Sequence, residues 1–207
     1  MIKDRNIDTD GLSSAALQAE QSYTILKPSA SATFVVATED ISGGDVAACT
    51  IARGTLDYPR NLLYTITDAS GTTNVGTFTV VGTDQFGLTA TETVIVTVAT
   101  ATTMPGTQIF KTVTSVAYED TSETAAASDT ASVGVNITAD VASFALPEKI
   151  AAVTDIVNVN WLDSGVSKLQ NIDTTSVVVA RSCFRPEQTV AAADDYIITY
   201  KSTATNN

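Results

Sequence analysis

Loop carboxylates are the side chains of this sequence best suited to chemistry. Asp68 follows a strand-like run in TITDASG, Asp84 lies in GTDQFG, and Asp194 and Asp195 are adjacent in DDYIITY. Calcium takes several hard oxygen ligands from loops, so these positions are candidates for a Ca²⁺ site. Their spacing fits no EF-hand loop, and Asp in such turns commonly bonds its own backbone. We therefore expect Asp68 and Asp84 to cap turns, and we expect no metal site and no cofactor.

The composition argues against the commonest catalytic arrangements. The 207 residues include no His, which removes the usual general base, the His-based nucleophile pairs and most zinc ligand sets. The sequence contains no G-x-S-x-G, Walker A or G-x-G-x-x-G motif. A glycosidase-like carboxylate pair remains open, but 23 acidic residues against 11 basic ones make chance pairs common. We expect no enzyme activity.

The formal net charge of −12 bounds the possible partners. An acidic chain is repelled by phosphate backbones and anionic membranes, so we expect neither nucleic acid nor membrane as a partner. Charged residues in MIKDRNIDTDG occupy the place of a signal peptide's apolar segment, and no run of 18 apolar residues occurs. We expect neither a secretory signal nor a transmembrane helix.

Four other residues each have two interpretations. Cys49 and Cys183 are far apart in sequence, and without an export signal we expect reduced thiols, with a disulfide as the alternative. Trp161, the only Trp, is expected to pack in the core or a subunit interface rather than against a sugar. Arg60 follows Pro59 and is expected to form a surface or strand-end ion pair with an acid such as Asp57.

The stretch 58–100 carries the clearest secondary-structure pattern. Apolar and β-branched residues alternate with period 2 over three runs, and TDASG and GTDQFG separate them. This pattern predicts three antiparallel strands in a meander, with Gly71 and Gly87 where the turns need positive φ.

Similar runs continue along the chain and fix the predicted fold class. We predict further strands over residues 33–38, 46–51, 107–118, 131–138, 151–161, 166–172, 176–180 and 196–201, with a loop at 104–106 and a polar loop at 119–129. About ten strands with little helix indicate an all-β protein, an antiparallel β-sandwich or jelly-roll-like body.

The chain divides into three predicted parts. Residues 1–31 differ in composition from the rest, contain a possible short helix at 11–21, and are interpreted as an N-terminal arm lying on the body or on a neighbouring subunit. A frayed terminus is the alternative. Residues 32–202 form the β-sandwich body and residues 203–207 a tail.

An ordered set of motifs resembles a group of structural proteins from tailed bacteriophages. The set begins with YPRN at 58–61, LLYTITDASG, VGTFTVVGTDQFG and TETVIVT. It continues with QIFKTVTSV, SDTASVGV, FALPEKI and finally DDYIITYKS, and so covers roughly residues 57–202. Each motif is weak alone, and the order makes the set more specific.

The resemblance implies a virion component made in the host cytoplasm. Because an acidic β-domain with an arm suits the outside of a capsid, we expect a decoration (cement) protein. Its expected partners are the major capsid protein and two further copies in a homotrimer. The alternative is a tail, neck or fibre component with an adhesion-type β-sandwich. A receptor-binding role would need exposed aromatics, and the loops carry few apart from Phe86 and the flanking Tyr118.

Overall fold

The fold is almost entirely β-strand. The structure, a computed structural model, describes residues 20–69, 74–98, 101–121, 128–163 and 165–202. The strands are β1 (Glu20–Leu26), β2 (Val36–Asp40), β3 (Thr55–Thr67), β4 (Asn74–Thr83), β5 (Thr89–Val98), β6 (Ala101–Asp120), β7 (Thr130–Val135), β8 (Phe144–Ala145), β9 (Ile156–Asp163), β10 (Val166–Leu169), β11 (Val177–Val178), β12 (Cys183–Phe184) and β13 (Asp195–Lys201).

The strands form two antiparallel sheets. The smaller sheet has the order β1-β13-β9-β10. The larger sheet has the order β11-β12-β8-β3-β6-β4-β5, and β7 lies between β3 and β2. Alternation sets the faces: Tyr196, Ile198 and Tyr200 of β13 are buried while the residues between them are half-buried. The predicted all-β, antiparallel sandwich body is confirmed.

The central meander is correct only for its second hairpin. β4 and β5 pair over ten successive positions, and Gly87 in their turn has φ +80°, as predicted. β3 and β4 are not neighbours, however, because β6 lies between them. β6 is 20 residues long and pairs with β3 along its first part and with β4 along its second. Gly71 lies outside the described residues.

The predicted loop at Met104-Pro105-Gly106 is instead a strand with an irregular register. The β3–β6 pairing shifts between Asn61 and Leu63, beside Pro105, and such a bulge accommodates a residue that has no N–H to donate. Gly106 fits there because a Cβ at this position would collide with the Glu92 carboxylate and the Tyr64 ring.

Two main hydrophobic cores lie in different parts of the molecule. The first core is enclosed by β2 to β7 and centres on three aromatic rings. The centroid of the Phe78 ring lies 5.3 Å from that of Tyr64 and 5.3 Å from that of Tyr118. The second core lies between the smaller sheet and the short strands β8, β11 and β12, with Phe144 and Tyr196 at 6.1 Å. The two packed layers justify the term sandwich.

Several predicted strands are shorter than the sequence pattern indicates, as in the predicted strand 166–172, where β10 ends at Leu169. In the predicted strand 46–51 only Val46 makes a β-bridge, to Tyr118. The first residues of the predicted strand 151–161 form a 3₁₀ turn, Val153–Asp155, because the Asp155 carboxylate accepts the N–H groups of Ala151 and Ala152. In the predicted strand 176–180, β11 gives way to a 3₁₀ turn at Val179–Arg181.

Part of the predicted arm at residues 1–31 lies against the body. Its residues 20–26 form β1, which pairs with β13 along its whole length and buries Ile25. A strand that fills the edge of a sheet belongs to the body, so the body begins by Glu20. Residues 1–19, with most of the helix predicted at 11–21, and the tail at 203–207 lie outside the described residues. In the described part of the chain, no helix is long and apolar enough to span a bilayer.

Candidate functional site

Two of the loop carboxylates considered for calcium, Asp84 and Asp194, accept backbone hydrogen bonds in turns. Asp84 Oδ1 accepts the N–H groups of Phe86 at 2.8 Å and Leu88 at 2.9 Å, which closes the β4–β5 turn. Asp194 Oδ2 accepts the Ala191 N–H at 2.7 Å just before β13 begins. The arrangement of Asp84 is the turn capping predicted from the sequence.

The same carboxylates do not converge on one point. Asp195 Oδ1 accepts the N–H of Lys27 at 2.9 Å, at the end of β1, and Asp68 is buried at the end of β3. Among the described residues, no group of three or more Asp, Glu or Cys side chains is arranged to hold a metal ion.

Arg60 forms the predicted ion pair with Asp57, but it is buried and does not lie at the surface. Its side chain is fully buried, with the guanidinium 4.3 Å from the centre of the Phe144 ring. It donates to the carbonyls of Ser29 at 2.9 Å and Asn136 at 2.6 Å, while Asp57 is 3.9 Å away. Burial lowers the pKa of Arg60 to about 10, and the Asp57 charge acts in the opposite direction. Sequence reasoning did not predict the burial of Arg60, because β3 places this residue between the two cores.

The side chain of Asn61, the next residue, bonds two separate segments. Its Nδ2 donates to the carbonyls of Gly106 at 2.8 Å and Val141 at 3.1 Å, and its Oδ1 accepts the Ser143 N–H at 2.8 Å. Arg60 and Asn61 therefore form a polar junction between the cores. The RN pair in the YPRN motif was the available sequence signal.

Glu92 is a second buried group that sequence reasoning did not single out. Its Oε1 accepts the Gln108 N–H at 2.9 Å and also the Thr107 N–H, and its Oε2 accepts the Tyr64 hydroxyl at 2.9 Å. The N–H groups of Thr107 and Gln108 are the backbone groups that the irregular register of β6 leaves without a partner on β3. Burial, followed by the Glu92 charge, raises the pKa of Tyr64 well above its ordinary value. The Glu92 carboxylate therefore satisfies the polar groups at the edge of the first core.

The cysteines and the Trp lie in apolar surroundings. Cys49 and Cys183 are both buried free thiols in separate clusters, as expected for reduced cysteines. Burial raises the pKa of Cys49 to about 11 and that of Cys183 to about 12, so neither thiol is activated as a nucleophile. Trp161 packs at the margin of the second core, and the Lys168 ammonium lies 4.5 Å from its ring centre.

The outward face of the smaller sheet carries an exposed apolar side chain on each of its two edge strands. We define the outer face by the residues that alternate with the second-core positions in the strand register: Leu26, Asp195, Leu162 and Ser167 in one row, and Thr24, Ile197, Asn160 and Leu169 in the next. Leu26 is 56% exposed and Leu169 73%. Exposed apolar side chains grouped on one face are typical of an interaction surface.

A cavity of about 440 Å³ lies elsewhere, between the β4–β5 turn and the 3₁₀ turn at Val179–Arg181. Phe86 and Lys149 stand at the cavity, with the ammonium 5.6 Å from the ring centre. Gln85 Nε2 donates to the Arg181 carbonyl at 3.1 Å and links the two turns.

The fold defines an all-β protein with a sandwich body. Comparisons of the chain with protein-family models, with curated proteins and with solved structures found no match.

Proposed function

We propose that this protein is a non-enzymatic structural component of a phage virion. In this proposal it is a decoration protein that binds the outer surface of the head and stabilises it across the seams between capsomers. The supporting observation is where the resembling motifs fall. Arg60 and Asn61 join the cores, Glu92 completes the first core, and Asp84 and Asp194 close turns. The resemblance therefore lies in residues that determine this fold.

The outer face of the smaller sheet is the surface we assign to the major capsid protein. Leu26 and Leu169 provide exposed apolar area, and threonine and asparagine between them can hydrogen-bond at an interface. A stable contact buries about 800 Å² on each partner. A homotrimer would present three such faces and add avidity. The net charge of −12 disfavours a position beside packaged DNA.

The test is binding of the purified protein to expanded phage heads that lack it, imaged by electron microscopy. Density at the outer seams in multiples of three is expected. Leu169→Lys should weaken binding, whereas Ile95→Lys, at a residue 60% exposed on β5 of the larger sheet, should not. Equal binding by both variants would remove the outer face from the proposal. No density on heads would remove the decoration role.

We propose that residues 1–19 act as an arm that reaches a neighbouring subunit. A chain that begins at Glu20 retains β1 and should unfold at the same urea concentration as the full chain. We expect it to bind heads more weakly, because an arm that reaches a neighbouring subunit would add contact area. Strong hydrogen-exchange protection of residues 1–19 in the isolated full-length subunit would contradict an arm that orders on binding.

A tail, neck or fibre position is the second candidate function. Phe86, an exposed aromatic at 41%, stands at the cavity beside Lys149, which suits receptor binding by an adhesion-type β-sandwich. Labelling of intact particles with an antibody to this chain separates the candidates, since tail or neck labelling without head labelling supports the second.

A further inference from the structure

We propose that β5 is an interaction edge at which a second copy of this chain pairs, so that the larger sheets of two copies join into one continuous antiparallel sheet. β5 ends the larger sheet, since it pairs with β4 on one side and no strand of the described residues pairs with its other side. The contact goes beyond the proposed attachment to capsids, because it joins copies of this chain and lies on a different sheet from the outer face.

The unpaired side of β5 presents a regular row of backbone groups. At the turn, the Asp84 N–H bonds the Leu88 carbonyl. From there, bonded and unbonded residue pairs alternate along the β4–β5 ladder, which has no register shift over its ten pairs. The backbone groups that point away from β4 are therefore those of Thr89, Thr91, Thr93, Ile95 and Thr97. Among the described residues, no other segment forms a hydrogen bond with them.

β5 lacks the features by which edge strands usually prevent pairing. The usual features are lysines, prolines, bulges and covering segments. β5 contains no Lys and no Pro, and its register with β4 is regular. Its one charged residue, Glu92, is buried and bonds Tyr64 and the backbone of β6. The residues whose backbone groups are open are all exposed, β-branched and uncharged, which suits the interior of a sheet.

Three other edge strands of this molecule are covered or short. At the end of β1, the Tyr58 hydroxyl accepts the Leu26 N–H at 2.8 Å and donates to the Leu26 carbonyl at 3.0 Å. Beside β2, the Ala52 N–H bonds the Val35 carbonyl at 2.8 Å. β10 has four residues and carries the exposed Lys168. An open, regular edge ten residues long therefore differs from the other edges and is suited to a partner strand.

The residues at this edge are complementary to a second copy. Two identical strands that pair antiparallel about a twofold axis are self-complementary. With the axis at Thr93, the whole open row is used, because Thr93 faces its own counterpart, Thr91 faces Ile95 and Thr89 faces Thr97. Pairs of β-branched residues and Thr–Thr pairs stabilise a sheet. No charged side chain lies in this row, so two chains with a net charge of −12 each meet where their repulsion is weakest.

The test is sedimentation equilibrium of the full chain and of Thr93→Pro. Proline at this position removes an N–H that points away from β4, so the β4–β5 ladder should persist, which circular dichroism checks. Each side of the twofold axis loses one hydrogen bond, and the dissociation constant of the pair should rise about a hundredfold. The mass of the assembly should be halved, from two copies to one or from two trimers to one. Thr93→Ala keeps the N–H and should keep the larger mass.

Thr93→Cys tests the register. Residues opposite each other in a hydrogen-bonded antiparallel pair have Cα atoms about 5.5 Å apart, which a disulfide can span. Mild oxidation should therefore link two copies through this residue. Ser115→Cys, at an exposed position on β6, should give no such link.

Several results would overturn the pairing. An unpaired full chain at every concentration, or a mass unchanged in Thr93→Pro, would remove β5 as the contact. Cross-linking of Thr93→Cys to the major capsid protein on heads, with no link between copies, would replace the second copy by a capsid strand. Ile95→Lys should also weaken the pairing while the outer face stays intact. Failure of pairing and failure of head binding are therefore separate results.

Discussion

The two cores satisfy their buried polar groups by different means. Around the first core, long strands bond to each other, as in the ten successive pairs of β4 and β5, and Glu92 serves the place where the register of β6 is irregular. Around the second core, β8, β11 and β12 have two residues each, and side chains take over much of the backbone bonding. Ser182 Oγ accepts the Ile150 N–H, and Asp155 accepts those of Ala151 and Ala152.

The two regions differ in how strongly the loss of one hydrogen bond destabilises them. A long strand tolerates the loss of one bond because its neighbours hold the register. Short strands bonded by single side chains have no such reserve, because a buried N–H or C=O left unpaired is costly. Polar substitutions at the junction and beside the second core should therefore destabilise the protein more than those around the first core.

Arg60→Met should have the largest effect. The substitution keeps an unbranched side chain but leaves the carbonyls of Ser29 and Asn136 and the carboxylate of Asp57 without their guanidinium. We expect a loss of about 3–5 kcal/mol in the free energy of unfolding, as for breaking a buried charged group's contacts. Urea denaturation monitored by circular dichroism measures it.

Arg53→Met is the matched control, since Arg53 is exposed and lies 5.1 Å from the Phe34 ring centre. Its loss should be about 0.5–1 kcal/mol. Equal losses in the two variants would contradict the central position assigned to Arg60.

Glu92→Gln should have the next largest effect. An amide of the same shape places an NH₂ group against the N–H groups of Thr107 and Gln108 or against the Tyr64 hydroxyl. We expect a loss of about 2 kcal/mol, the cost of an unsatisfied buried group. The exposed Glu119→Gln on β6 should change stability by less than about 0.5 kcal/mol.

A double-mutant cycle with Tyr64→Phe sharpens the test. Because Tyr64 and Glu92 are bonded directly, the two losses should not add, with a coupling of about 1 kcal/mol. Strict additivity would mean that the hydroxyl and the carboxylate act independently.

The difference between the regions also explains which structure could be predicted from the sequence. Period-2 alternation identified β3, β4, β5 and β13, because each runs for seven residues or more with one face in a core. The short strands β8, β11 and β12 beside the second core have two residues each, too few for a period to show. Pro105 indicated a loop, and only the tertiary pairing of β3 with β6 turned that segment into a bulged strand.

The candidate sites were less predictable than the strands. Asp84 could be assigned to a turn because its bonds are local in sequence. Arg60 and Glu92 bond groups 15 to 76 residues away, so their burial depends on contacts that no local pattern encodes. The cavity at Phe86 has the same origin, since it joins residues near positions 85, 149 and 181.

Alkaline pH should destabilise both cores. Burial raises the pKa of Tyr118, in the first core, and of Tyr23 and Tyr200, at the second, to about 12. Because the folded protein holds these phenolic protons more tightly than the unfolded chain does, their stabilising contribution is complete below about pH 10. It is lost as the pH rises from about 10 to 12. Thermal unfolding across this range measures the loss.

Tyr118→Phe and Tyr200→Phe compare the cores directly. Each variant removes one titrating group, so stability should fall less steeply with pH in both. A slope unchanged by either substitution would show that the alkaline loss comes from other groups, and a change in one variant alone would locate it in that core.

Lys168→Gln should have the smallest effect, because it perturbs the exposed edge of the smaller sheet. The Lys168 ammonium lies 4.5 Å from the Trp161 ring centre and 3.1 Å from Asp163 Oδ2, and both charged side chains are nearly half exposed. Exposed contacts of this kind contribute about 0.5 kcal/mol. The emission of Trp161, the only Trp, should shift while the urea midpoint hardly moves, and Lys111→Gln should change neither. A loss as large as that of Glu92→Gln would contradict the expectation that an exposed ion pair stabilises the protein less than a buried carboxylate does.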